Sequence, residues 1–202
     1  MNADFKINGT VIETERLILR PFLRSDLNDV YEYASVPGVG EMAGWKHHET
    51  PEETAEIVDS FIKDDKTFAI VLKESNKVIG SLGVEKYGLE NVLSEFFDYS
   101  GREIGYVLSR DYWGNGFVTE AVKAVIDHLF NVLGLDFLIC GYYDFNTRSK
   151  RVQEKCGFKP YRKLVMDTMM GTNEPGVLNL LSNPERNVKF VFSHPETLIY
   201  KD

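Results

Sequence analysis

The alternation of apolar and polar positions along the chain predicts strands interleaved with helices. The clearest helix covers residues 116–133, where apolar side chains recur every three or four positions until Gly134 ends the pattern. The almost continuous apolar run at 137–143 predicts a buried strand. The other predicted elements are a strand at 15–22, a helix at 25–34 capped by Ser25, a helix that starts at the capping box Thr50-Pro51-Glu52-Glu53, a hairpin of strands at 68–72 and 78–84, a strand at 102–108, a helix from Asn146 to Cys156, an extended segment at 158–170, a long loop at 171–187 and a last strand at 188–192.

This order of elements predicts an α/β fold with a mixed sheet and a central β–α–β crossover at residues 102–143. The two strands of such a crossover are parallel, and ligands bind beyond their carboxyl ends. We therefore expect the chemistry to be concentrated near residue 110. A chain of 202 residues with 43% hydrophobic content is predicted to form one domain over residues 1–202, with a core at about 13–165 and an extension at 171–202.

Composition narrows the class of partner. The net charge of -8 argues against a nucleic-acid binder, and the apolar runs are too short to predict a membrane span. The first ten residues do not resemble a signal peptide, so a cytoplasmic location is expected. One segment departs from the overall charge, because residues 146–163 contain seven basic residues against the single acid Glu154. That segment is either a solvated helix face or a seat for a small polyanion.

A glycine loop lies between the predicted strand at 102–108 and the following helix. Gly114 and Gly116 allow a tight turn that exposes main-chain N–H groups at a helix start, which suits a phosphate, although an ordinary strand–helix turn has the same appearance. A P-loop would need a GK[ST] sequence, which does not occur. A dinucleotide-binding loop would need glycine where Thr119 stands, and Asp136 opens the next strand where a ribose-binding acid should close it.

Four motifs in order resemble the GNAT acetyltransferases across residues 13–165. They are the strand Ile104-Gly105-Tyr106-Val107-Leu108, the loop Tyr112-Trp113-Gly114-Asn115-Gly116, the segment Thr119-Glu120-Ala121, and the run from Asn146 to Phe158. The opening Thr14-Glu15-Arg16-Leu17-Ile18-Leu19-Arg20 is similar to the branch that contains the ribosomal-protein N-terminal acetyltransferases. Two positions depart from the family pattern: Asp111 stands where the loop often begins with Arg or Gln, and Gln153 stands where many relatives have a tyrosine acid.

The resemblance implies the fold and cofactor site of an acyl-CoA N-acyltransferase, with the crossover strands splayed apart. It implies acetyl-CoA as co-substrate and requires no metal. The main chain near Val107 and Leu108 would stabilise the tetrahedral oxyanion, and Ser149 is the implied catalytic donor to the departing thiolate. The residues implied in cofactor binding are Tyr106, Val107, Leu108, Trp113, Gly114, Asn115, Gly116, Phe117, Val118, Asn146, Ser149 and Arg151.

The identity of the acceptor stays open at this level. An amine at a protein or peptide N terminus is expected from the ribosomal-protein-like branch. The alternatives are a small amine such as a polyamine, an amino acid or an aminoglycoside, and a non-catalytic acyl-CoA-binding module. Glu85, Glu103 and Asp167 are candidate bases, and Trp45 is a candidate for lining the acceptor site. His47 and His48 are predicted to be loop residues, not metal ligands. The oligomeric state is expected to be monomer or homodimer.

Overall fold

A computed structural model describes residues 1–88, 93–188 and 190, together with the backbone of 197–200. The chain divides into two compact units. The amino-terminal unit contains Phe5–Val84 and Tyr106–Val125, and the carboxyl-terminal unit contains Met1–Asp4, Glu85–Gly105 and Ile126–Asp202. This division into units does not test the expectation of a single domain over residues 1–202, which stays a prediction.

The amino-terminal unit combines antiparallel strands with two helices between them in sequence. Its strands pair in the order β1-β2-β3-β4, with β4 followed by the carboxyl end of β5, and the pairs β1–β2, β2–β3 and β3–β4 are antiparallel. Its core is apolar and includes Phe22, Val30, Val58, Ala69 and Val78. The elements are β1 (Ile12–Glu13), β2 (Leu17–Pro21), α1 (Leu27–Ala34), α2 (Pro51–Asp64), β3 (Thr67–Leu72), β4 (Lys77–Glu85), β5 (Gly101–Leu108) and α3 (Phe117–Asp127), of which β4, β5 and α3 each run past the end of this unit.

Local sequence explains where the first two helices begin. The Thr50 side chain accepts a hydrogen bond from the Glu53 amide and Pro51 occupies the first helical position, which confirms the predicted start of α2. The predicted cap at Ser25 is wrong. A short 3-10 turn at Arg24–Asp26 precedes α1, and the buried Asp26 carboxylate accepts from the Leu23 amide. Arg20 pairs with the same carboxylate and satisfies its charge.

The carboxyl-terminal unit contains a parallel pair followed by antiparallel strands. Here the start of β5 pairs in parallel with β6 (Phe137–Tyr143), as the crossover predicts. β6 then pairs antiparallel with β8 (Asn173–Ser182), and β8 pairs antiparallel with β7 (Lys159–Asp167), which is followed by β9 (Thr197–Tyr200) in parallel. The remaining helix is α4 (Thr147–Lys155). The core is rich in aromatic side chains, among them Tyr87, Phe96, Phe137 and Tyr161.

The structure corrects one predicted element in this unit. The segment 171–187, predicted to be a loop, contains the ten-residue strand β8, which lies between β6 and β7. Pro175, Gly176 and Asn179 gave the segment a loop-like composition. Gly176 is required by packing, because a Cβ atom there would lie 2.3 Å from the Tyr142 carbonyl oxygen on β6. The predicted strand at 188–192 falls largely on residues outside those described.

The long predicted helix at 116–133 is confirmed with one change of geometry. α3 gives way to a π-helical turn at His128–Val132, and the buried Asn183 amide donates to the Phe130 and Leu135 carbonyls there. Within the described residues, the helices lack the length and apolar character that a bilayer crossing requires.

Candidate active site

The carboxyl end of β5 is fixed against β4 in the amino-terminal unit. The Ser109 amide donates to the Ile79 carbonyl over 2.8 Å. Gly80 lies so close to β5 that a Cβ atom would be 2.3 Å from the Val107 carbonyl oxygen. Glycine at position 80 therefore allows the main chain of Val107 and Leu108 to lie directly against β4.

On the β6 side, the ladder of β5 is short. In the carboxyl-terminal unit, Gly101, Arg102 and Glu103 pair with Phe137, Leu138 and Ile139. In the part of the chain that the structure describes, Ile104 and Gly105 continue β5 without a register partner on β6, although β6 extends to Tyr143. The parallel ladder thus stops part-way along both strands, as expected for a splayed crossover. Strand main chain beyond the end of a ladder can accept an extended ligand as an added strand.

The glycine loop has the geometry of an anion-binding turn. After a 3-10 turn at Arg110–Tyr112, Gly114 and Gly116 adopt φ angles of 83° and 81°, and α3 begins at Phe117. A Cβ atom at Gly114 would meet nothing within 4 Å, so the space beside this turn is open. The Trp113 indole donates to the Leu108 carbonyl over 2.9 Å and ties the loop to the end of β5. The loop therefore presents main-chain N–H groups at the start of an eleven-residue helix.

A charged cluster that the sequence did not predict holds this loop in place. The Glu120 carboxylate, in the first turn of α3, accepts from the Thr14 hydroxyl, the Arg16 amide and the Arg16 guanidinium. Burial raises the pKa of Glu120, but these hydrogen bonds outweigh it and the net pKa is lowered. The Arg16 guanidinium also donates to the Asn115 carbonyl and lies 4.4 Å from the centre of the Phe117 ring. Thr14 and Arg16 belong to the motif singled out in the sequence, and this is their physical role.

The predicted donor Ser149 lies in the first turn of α4, in the carboxyl-terminal unit. Its amide donates to the Asn146 side chain over 3.0 Å, which confirms Asn146 as the helix cap. Its hydroxyl oxygen accepts from the Gln153 side-chain amide over 3.1 Å. Arg151, on the same helix, is exposed.

Gln153 belongs to a buried network of uncharged amides. Its nitrogen donates to the Gly141 carbonyl over 2.9 Å as well as to Ser149, and its oxygen accepts from the Asn179 side chain over 2.9 Å. Gln153 and Asn179 are each only 1% exposed. Gln153 therefore positions the Ser149 hydroxyl. The sequence indicated only that Gln153 replaces a tyrosine acid, and it did not predict this positioning role. Asn179 was missed because it lies in the segment predicted to be a loop.

The structure brings together nine of the twelve predicted cofactor residues in one unit. Tyr106–Leu108 and Trp113–Val118 form the end of β5, the glycine loop and the start of α3, while Asn146, Ser149 and Arg151 lie together at the start of α4. Among the candidate bases, the Asp167 carboxylate accepts a hydrogen bond from the Asn173 side chain, its partner in the β7–β8 register. Among the described residues, no cluster of three or more His, Cys, Asp and Glu side chains is arranged to hold a metal ion.

The loop between α1 and α2 packs on the same core as the end of β5. Trp45, Val36, Val107 and Trp113 all contact one buried apolar cluster of the amino-terminal unit. A role for Trp45 in lining the acceptor site stays a prediction.

The two histidines of this loop each have a polar partner. The His47 ring Nδ1 lies 2.8 Å from the Glu41 carboxylate. The adjacent His48 is buried and its Nδ1 lies 2.8 Å from the Thr54 hydroxyl. The two histidines thus have different partners, as predicted for loop residues.

Comparisons with known proteins identify the family of this chain. The family model described as an acetyltransferase (GNAT) domain matches residues 16–159. The uncharacterized N-acetyltransferase p20 of Bacillus licheniformis is 30% identical over 72% of this chain and 80% of its own length. Spermidine N(1)-acetyltransferase of Escherichia coli is 26% identical over 69% of this chain and 71% of its own length.

A solved structure agrees. The crystal structure of a GNAT-family acetyltransferase from Bacillus anthracis, 25% identical, covers 87% of this chain and 100% of its own with a TM-score of 0.75. The chain therefore belongs to the GNAT family of N-acetyltransferases, enzymes that use acetyl-CoA as the acetyl donor.

Proposed function

We propose that this N-acetyltransferase transfers the acetyl group of acetyl-CoA to a single α-amine, that of a peptide or protein N terminus. The observation that carries the proposal is the bonding of the two carboxylates, Glu41 and Glu49, in the loop between α1 and α2. Each of them is already bonded within the protein, so the loop does not present an array of acids for a polycation.

The bonding of these carboxylates is extensive. Glu41 accepts from the Gly38 amide over 2.7 Å and from both the amide and the ring of His47. Glu49 forms an ion pair with Lys46 at 2.6 Å. A polyamine carries further ammonium groups that need carboxylate partners, whereas a peptide N terminus carries one. The loop therefore suits an acceptor with a single cationic nitrogen.

The acid–base chemistry also favours an α-amine. The attacking nitrogen must be neutral, and an α-amine with a pKa near ~8 is about one-tenth neutral at pH 7, whereas an alkylamine near ~10.4 is almost wholly charged. In the proposed reaction the glycine-loop amides of Trp113–Val118 hold the pyrophosphate, with Asn146 and Arg151 as further contacts to the cofactor. Main-chain N–H groups near Val107 and Leu108 stabilise the oxyanion, and Ser149 donates to the departing thiolate.

A small polyamine is the second candidate, because a spermidine N(1)-acetyltransferase is among the relatives of this chain. A thiol-release assay with three acceptor classes separates the two. The panel contains pentapeptides with different first residues, the same peptides with a blocked N terminus and an internal lysine, and spermidine. Release of CoA only with unblocked peptides is the expected result. Release with spermidine at a higher kcat/KM than with every peptide would reject the α-amine proposal.

A further inference from the structure

The loop between α1 and α2 contains a histidine–carboxylate pair that the chemistry described so far does not use. The His47 ring Nδ1 lies 2.8 Å from Glu41 Oε1, and the His47 amide donates to the same oxygen over 3.2 Å. The second oxygen of Glu41 accepts from the Gly38 amide over 2.7 Å. The carboxylate is therefore fixed at both oxygens, and it fixes the imidazole in turn.

The ionisation of Glu41 determines which ring nitrogen carries the proton. Burial would raise the pKa of Glu41, but the hydrogen bonds from the His47 ring and from the amides of Glu41, Gly38 and His47 lower it to about 2. A carboxylate that stays ionised at neutral pH can only accept, so the Nδ1 atom of His47 must donate to it. In the neutral ring, Nε2 then has a lone pair and can act as a base.

The loop around this pair is held rigidly. Gly40 packs beneath Trp45, where a Cβ atom would lie 2.2 Å from the indole, and the Trp45 amide donates to the Gly40 carbonyl over 3.1 Å. The His48 amide donates to the Ala34 carbonyl over 2.9 Å and joins the end of the loop to the end of α1. The His47 side chain is nevertheless 28% exposed, so a ligand can reach it.

Contacts within the amino-terminal unit connect this loop to the end of β5. The Arg110 guanidinium lies 3.2 Å from where a Cβ atom of Gly38 would be, and it lies over the Trp113 ring at 5.6 Å. Trp113 in turn donates to the Leu108 carbonyl. Gly38, the residue that anchors Glu41, is thus two side chains away from the strand end proposed to hold the thioester.

From this geometry we propose that His47, oriented by Glu41, removes the proton from the acceptor ammonium. The proposal rests on the proposed function, since it assigns the base of that reaction. The ammonium N–H bond breaks and its proton binds His47 Nε2. The nitrogen lone pair then attacks the thioester carbonyl carbon, and collapse of the tetrahedral adduct breaks the C–S bond. The thiolate, which accepts a hydrogen bond from the Ser149 hydroxyl in the proposed reaction, takes the second amine proton, and His47 later releases the first to solvent.

Other charges near the loop bear on the pH dependence of this step. Beside Glu41, they are the ion pair of Lys46 with Glu49, together with Glu53 at the start of α2 and Arg110 near Gly38. Lys46 and Glu49 compensate each other, so Glu41 is the acid in direct contact with the ring.

The test compares His47→Asn with the wild-type enzyme over pH 6–9. Asparagine keeps a donor at the position of Nδ1 and loses the second ring nitrogen. At pH 7 about one-tenth of an α-amine is neutral, so kcat/KM should fall about tenfold or more. The loss should shrink to about twofold near pH 8 and nearly vanish by about pH 9, where the amine deprotonates by itself. The affinity for acetyl-CoA should not change. His128→Asn, the same substitution beyond the carboxyl end of α3, is the matched control and should behave as wild type.

The outcomes separate the two proposals. A His47→Asn enzyme with wild-type kcat/KM at pH 7 would overturn the role of His47. A wild-type enzyme that acetylates spermidine but no peptide would overturn the proposed acceptor, and His47→Asn would then be assayed with spermidine. An NMR measurement of the ring tautomer does not depend on the acceptor. The Nδ1–H form is expected, a shift towards Nε2–H is expected in Glu41→Gln, and an Nε2–H form in the wild-type protein would refute the proposal.

Discussion

Replacement of Gln153 by leucine tests the buried amide network beneath Ser149. The wild-type side chain makes three hydrogen bonds: to the Gly141 carbonyl, to the Ser149 hydroxyl and from the Asn179 amide. Leucine has a similar size and makes none of them. The Gly141 carbonyl then loses this donor, and the Asn179 side-chain amide loses the Gln153 oxygen as its acceptor while it stays 1% exposed.

The magnitude follows from the cost of unsatisfied buried groups. Each buried polar group left without a partner costs about 1–3 kcal/mol, and burial of the leucine side chain offsets part of this. The oxygen of Asn179 has no hydrogen-bond partner within the described residues even in the wild-type protein, so loss of Gln153 leaves that whole amide unsatisfied. We therefore expect Gln153→Leu to lower the free energy of unfolding by about 2–4 kcal/mol.

A double-mutant cycle with Asn179→Leu measures whether the network is the cause. Asn179→Leu removes the amide that Gln153→Leu would leave unsatisfied, so the double variant should be more stable than the sum of the single losses predicts by at least about 1 kcal/mol. Urea unfolding of the four proteins gives the free energies. A Gln153→Leu loss below about 0.5 kcal/mol, or losses that add within about 0.5 kcal/mol, would refute the reasoning.

Three further predictions concern the proposed cofactor site. Gly114→Ala and Gly171→Ala place a methyl group at similar positive φ angles in open space, so both should lose about 1 kcal/mol of stability, but only Gly114→Ala should weaken CoA binding in calorimetry. Ser149→Ala should lower kcat while the affinity for acetyl-CoA is retained, and an unchanged kcat in steady-state assays would remove Ser149 from the mechanism. The lowered pKa of Glu120 implies stability that is present above its ordinary value of 4.5 and lost as the pH falls through the lower folded value. Glu120→Gln should therefore unfold more readily than wild type at pH 7, and the difference should narrow in thermal scans below about pH 4.5.

Local patterns in the sequence were sufficient to predict the elements whose causes are local. The capping box at Thr50, the apolar spacing of α3 and the continuous apolar run of β6 each specify one conformation within a few residues. β8 could not be predicted in this way, because Pro175 and Gly176 favour a loop in isolation. Its strand conformation depends on pairing with both β6 and β7, which are distant in the sequence.

The same distinction applies to the site. Gly114 and Gly116 predict the exposed turn because glycine spacing encodes backbone conformation directly. The bond between Gln153 and Asn179 joins residues 26 positions apart, so it depends on the packing of α4 against the sheet. The contact between Glu41 and His47 depends on a loop that turns at Gly44 with a φ angle of 87°. Sequence motifs therefore located the glycine loop, whereas the pairs that position individual side chains required the structure.

The loop between α1 and α2 is closed at its base, because its two ends meet at the hydrogen bond from the His48 amide to the Ala34 carbonyl. A segment whose ends are joined in this way can change its exposed side chains without disturbing the strands beneath it, provided that Val36, Val39 and Trp45 keep their packing on the apolar cluster. Variation of the exposed residues of this loop is thus a physical route by which an enzyme of this fold could change its amine acceptor while its binding of acetyl-CoA is preserved.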